Sequence, residues 1–113
     1  MTVAYKILTS DDWRRAVAEG RYEGSAVDLA DGYIHMSTAD QLAETARRHY
    51  AGQADLMLLT VDLGGLDDAL VWEPSRGGAL FPHLYAPLPA AAVTASRPFA
   101  VAEDGAMRFE DAA

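Results

Sequence analysis

Apolar and mixed residues alternate along Val3-Ala4-Tyr5-Lys6-Ile7-Leu8, which reads as a β-strand. The period then changes. Trp13, Ala16 and Val17 recur at i, i+3 and i+4 and define the apolar face of a helix over residues 11–19, with Trp13 expected to be mostly buried as its anchor. Ser10 is the expected N-cap, Asp11 and Asp12 suit the positive end of the helix dipole, and Gly20 is a natural stop. Residues 21–26 are polar, hold Gly24 and read as a loop, in which Ser25 caps a single turn over residues 26–30 before Asp31-Gly32 reverses the chain. Tyr33-Ile34-His35-Met36 is then a short strand whose side chains alternate faces. Thr38 caps a second helix over residues 39–50, with Leu42, Ala43, Ala46 and Tyr50 as its apolar stripe and Gly52 at its end.

The second half of the chain reads differently. Leu56-Met57-Leu58-Leu59-Thr60-Val61-Asp62 is almost continuously apolar, the pattern of a strand buried on both faces. Residues 63–68 carry Gly64-Gly65 and read as a loop. Leu70-Val71-Trp72-Glu73 is a strand stopped by Pro74, and Ser75-Arg76-Gly77-Gly78 is the most flexible stretch. Phe81-Pro82-His83-Leu84-Tyr85 is extended, and Pro87 and Pro89 exclude a helix interior after it. Residues 93–97 form one strand. Residues 99–102 and 106–109 form a hairpin through a two-residue turn at Asp104-Gly105, and the last four residues are expected to fray. Helices come early and antiparallel-capable strands late, which predicts an α+β fold rather than a doubly wound parallel sheet.

A length of 113 residues predicts one domain, residues 1–113. With no Cys there is no disulfide framework, thiol nucleophile or zinc ribbon. Asp and Glu number 17 against 9 Lys and Arg, a formal charge of -8 that disfavours bulk nucleic-acid binding and anionic membranes. No stretch approaches the roughly 18 apolar residues of a membrane span. The N-terminus has no charged region followed by an apolar one, so the cytoplasm is the expected location. No Rossmann glycine fingerprint, P-loop, HExxH or GxSxG occurs.

Three clusters carry candidate chemistry. In Gly32-Tyr33-Ile34-His35-Met36-Ser37-Thr38, alternation puts His35 and Ser37 on one strand face. Together they suit a ribose diol or a Ser-His nucleophile pair; the plainer reading is a satisfied core histidine and a helix cap. In Trp72-Glu73-Pro74, Glu73 beside an indole suits a carboxyl of raised pKa acting as acid, base or oxocarbenium stabiliser, or else points into water. In Phe81-Pro82-His83-Leu84-Tyr85, His83 and Tyr85 share a face and suit stacking on a planar ring, unless they belong to an aromatic core strand. Arg76, among small residues, suits a phosphate clamp or a solvated loop. His35 and His83 lie 48 positions apart, a poor spacing for a metal site, and none is predicted. His49 reads as a surface partner of a helix C-terminus.

Trp13, the run from Gly32 to Thr38, Gln41, Trp72-Glu73-Pro74 and Phe81-Pro82-His83-Leu84-Tyr85 together resemble the small bacterial family known as "domain of unknown function 952". The resemblance covers residues 5–97 and implies the ADP-ribosyltransferase-like fold, a split pair of small antiparallel sheets around an NAD cleft. It also implies roles. His35 would hold the ribose, Ser37 or Thr38 would steady it, Tyr85 would stack on nicotinamide and Glu73 would be the catalytic carboxylate. The terminal Glu-x-Glu or Gln-x-Glu of transferases has no counterpart here. The reading expected from these residues is a protein that binds a small-molecule nucleotide, an ADP-ribosyl-transferring enzyme with NAD as substrate. Its alternatives are a non-catalytic nucleotide-binding module and a small Ser-His or metal-dependent hydrolase.

Overall fold

A computed structural model describes residues 2–109, with Arg76 described through its backbone alone. The expected fraying of residues 110–113 lies outside the described residues. Strand β1 (Val3–Thr9) leads into helix α1 (Ser10–Glu19). The cap is Thr9 rather than Ser10: its side chain accepts the Asp12 amide at 3.1 Å. Gly20 ends the helix at φ 85°, as its freedom from a Cβ allows. A loop was expected next, but Arg21–Tyr22 forms strand β2. Helix α2 (Ala26–Asp31), strand β3 (Ile34–His35) and helix α3 (Ala39–Tyr50) follow.

Strand β4 (Leu56–Asp62) covers the apolar run. The expected loop after it contains two short 3-10 turns, Leu63–Gly65 and Asp67–Ala69. Then come β5 (Leu70–Pro74), a 3-10 turn at Arg76–Gly78, β6 (Leu80–Leu84), β7 (Leu88–Pro89), β8 (Val93–Val101) and β9 (Met107–Phe109). Two separate strands were expected across residues 93–102; β8 instead runs unbroken through Pro98, which pairs with Met57.

The result is a mixed α/β domain of three helices and antiparallel sheets. The larger sheet has the order β1-β4-β8-β9, a smaller one the order β3-β6-β5, and β2 pairs with β7. The two principal sheets meet where Tyr5 and Ser37 exchange backbone hydrogen bonds of 2.7 and 2.9 Å. The hairpin β8–β9 pairs Phe99 with Phe109 and Val101 with Met107. Its turn has three residues instead of two: Gly105 alone adopts positive φ (91°), and the Ala102 amide reaches the Ala106 carbonyl at 2.8 Å.

The core splits between the faces of β4. Leu59 and Val61 pack with Ala16, Ile34, Met36 and Leu84, whereas Leu56 and Leu58 pack with Leu42, Ala46 and Phe99. This explains the continuous apolar run. Trp13 packs on the first cluster with most of its surface buried, as expected, whereas Val17, assigned to the same apolar face, is 56% exposed. Among the described residues no helix is long and apolar enough to cross a membrane.

Candidate functional site

The small sheet has one face for the core and one for chemistry. Ile34, Met36 and Leu84 point into the first core cluster. Alternation therefore sends Tyr33, His35, Phe81, His83 and Tyr85 to the opposite face. Register completes the arrangement, because His35 lies directly opposite His83 across the β3–β6 pair. Their ring centroids are 5.7 Å apart. His35, Ser37 and His83 all line one cleft of about 760 Å³, with Tyr33, Lys6, Asp28 and Asp31 also in its wall.

Asp28 organises the floor. Ser25 and Asp28 form a reciprocal capping box at the start of α2, the Ser25 amide reaching Asp28 Oδ2 at 2.9 Å. Gly32 then adopts φ 90° and turns the chain into β3. This return lets the His35 amide donate to Asp28 Oδ1 at 3.1 Å and the His35 Nδ1 at 2.6 Å. From β1, Lys6 Nζ donates to Asp28 Oδ2 at 2.9 Å and to the His35 carbonyl at 2.9 Å. Burial alone pushes the Asp28 carboxyl up, but the His35 hydrogen bond, the Lys6 charge and the Ser25 amide outweigh it and hold the group far below the usual carboxylate range. His35 Nε2 faces Asp31 Oδ2 at 2.9 Å, so both nitrogens of this ring are engaged by carboxylates.

A second carboxylate holds the other histidine. Glu73 on β5 accepts from His83 Nδ1 and from the Tyr85 hydroxyl, each at 2.7 Å on the same oxygen. The Glu73 carboxyl was expected to be raised by the neighbouring indole. It is lowered instead, first by the Tyr85 hydrogen bond and next by that of His83. The same hydrogen bond pushes the Tyr85 phenol up to about 12. Tyr33 fills the space between the rings: it stacks on His83 at 4.1 Å and 23°, and lies 4.6 Å from His35 and 5.1 Å from Tyr85.

Of the residues singled out from sequence, His35, Ser37 and His83 thus share the cleft. Tyr85 and Tyr33 line a smaller pocket of about 200 Å³, with Tyr33 as a wall common to both cavities. Glu73 reaches the cleft only through His83. Thr38 lies outside the cleft wall and starts α3, where its amide donates to Gln41 Oε1 at 3.0 Å. The Arg76 side chain lies outside what is described; its backbone turn follows Ser75, which lines the cleft. Arg48 and His49 line it too, from the last turn of α3. Ser37 Oγ pairs with Thr45 Oγ1 at 2.8 Å. Among the described residues no three His, Cys, Asp or Glu side chains are grouped to hold a metal ion.

Sequence reasoning missed Tyr33, Lys6, Asp28 and Asp31. The signal for Tyr33 was present, since it stands two residues before His35 and shares its strand face. Lys6, a lone cation inside an apolar strand, was a weaker sign of a buried pair.

The fold and sequence have solved relatives. The crystal structure of protein CC0527 from Caulobacter crescentus is 50% identical, with a TM-score of 0.90 over 95% of this chain and 94% of that one. The solution structure of CC0527 is 52% identical, with a TM-score of 0.80 over 93% of this chain and 90% of that one. No curated protein matches the sequence. The chain belongs to the family described as "Protein of unknown function (DUF952)", which it matches over residues 7–96, a span that includes His35, His49 and His83 of the cleft.

Proposed function

We propose that this protein binds a small nucleotide of the NAD or ADP-ribose class in the cleft and transfers its ribosyl carbon, as an ADP-ribosyltransferase-like enzyme of the cytoplasm. The observation that carries the reading is the direct pairing of His35 with His83 beside Ser37 on the cleft face of the small sheet. The volume of about 760 Å³ falls within the roughly 300–1,000 Å³ of small-molecule sites. Two principal antiparallel sheets bridged at Tyr5 and Ser37 fit the split-sheet architecture that the resemblance implies. In this reading the ribose lies against His35 and Ser37 in the cleft wall, and Tyr33 takes over the stacking role first assigned to Tyr85. The carboxylate facing developing positive charge at C1′ is Asp31 rather than Glu73, because Asp31 lines the cleft and Glu73 does not.

The test is titration calorimetry with NAD, ADP-ribose and AMP. Binding of at least one is expected, and His35→Ala should weaken it about tenfold or more, the effect of losing one such contact. No heat and no chemical-shift change at millimolar ligand would overturn the reading. Nicotinamide release separates an enzyme from a binding module. A Ser-His hydrolase is less well supported, since Ser37 Oγ pairs with Thr45.

A further inference from the structure

We infer that His83 is the proton-accepting group of the cleft, acting at Nε2, that Glu73 is the positioning residue that fixes its tautomer, and that Tyr85 steadies Glu73. The reading above supplies the substrate class: a hydroxyl or water attacking C1′ of an N-ribosyl ligand.

The geometry singles out one ring of the facing pair His35 and His83. An ionised carboxylate only accepts hydrogen bonds, so the 2.7 Å contact from Nδ1 to Glu73 places the proton of the neutral imidazole on Nδ1. The lone pair is then on Nε2, for which the described residues provide no partner. His35 differs, because Asp28 and Asp31 engage both of its nitrogens. His83 is also held still. It is 4% exposed, and the Tyr33 ring stacks on it at 4.1 Å. Tyr85 donates to the same Glu73 oxygen from the other side, which keeps that oxygen aimed at the ring. A carboxylate-oriented imidazole with one nitrogen open to a cleft is the arrangement general base catalysis requires.

His83 Nε2 takes the proton of the attacking hydroxyl while the oxygen forms its bond to C1′. The C1′–N bond breaks and its electron pair leaves with the ring nitrogen, so a nicotinamide departs neutral. His83 then returns the proton to water.

The experiment is long-range ¹H–¹⁵N correlation spectroscopy of the histidine rings in the ligand-free protein, followed by NAD turnover. Wild type should show His83 protonated at Nδ1 and bare at Nε2. Tyr85→Phe should keep that tautomer, whereas Glu73→Ala should shift it toward Nε2–H. Nicotinamide release should fall about 100-fold or more in His83→Gln, while NAD affinity changes less than threefold. An Nε2–H tautomer in wild type overturns the inference whatever the ligand, and so does wild-type turnover in His83→Gln. If wild type takes up no NAD, the proposed function falls and the tautomer alone decides the inference. Should His83→Gln not fold, the wild-type, Tyr85→Phe and Glu73→Ala spectra still decide it.

Discussion

Lys6 reaches Asp28 from the middle of an apolar strand, and removing it would leave a carboxylate of 2% exposure without its counter-charge. Lys6→Met should therefore cost about 3–5 kcal/mol in urea unfolding, the usual result of breaking a buried pair from one side. A cost under about 1 kcal/mol would show that Asp28 finds other compensation. The same carboxylate sets an acid dependence. Its folded value is depressed, so its contribution is complete above the unfolded value of roughly 3.9 and drains away as pH falls toward the folded one. Stability should decline below about pH 5, and Asp28→Asn should flatten that decline while lowering stability at pH 7. An unchanged acid limb in the variant would refute the assignment. Sequence placed Asp28 only as part of a helical turn. Its partner is 22 positions away, and no local pattern announces a contact at that distance.

Two helices and one hairpin follow from local rules, and their glycines show where packing adds to them. Gly20 has φ 85° and open space where a Cβ would stand, so Gly20→Ala meets only the backbone cost of about 1–2 kcal/mol. Gly105 has φ 91°, and a Cβ there would lie 2.8 Å from the Cβ of Arg47 and 3.1 Å from its Cα. Gly105→Ala should cost more than Gly20→Ala, because the hairpin turn must then move away from α3. Thermal unfolding of the two variants checks the order, and equal losses would refute it. The bounds of α3 and β4 match the sequence reading because each is long enough to show its period. The β2–β7 pair was invisible for the opposite reason. Each strand has two residues, too few for any periodicity, and the pairing of Tyr22 with Leu88 is a tertiary contact.

Across the whole molecule, the Tyr5–Ser37 bridge ties the sheet bearing the histidines to the sheet bearing Lys6. If the two sheets unfold as one unit, the Ser37 amide should exchange with hydrogen-bond protection close to that of the central strand β4. Protection weaker by about 2 kcal/mol or more would mean that the small sheet opens by itself. Sequence alone determined the faces. Side-chain alternation placed His35 with Ser37 and His83 with Tyr85, because the strand period is a property of the backbone and needs no partner. The α+β order and the hairpin came from the same kind of local information. Tertiary structure decided what stands across from what. Only the β3–β6 register sets His35 against His83, and only the β5–β6 pairing brings Glu73 to His83 in place of the open carboxylate expected of it. The physical reason is that alternation specifies a direction for each side chain, whereas neighbours 48 residues apart are chosen by which apolar faces can be buried together. That choice belongs to the folded chain as a whole.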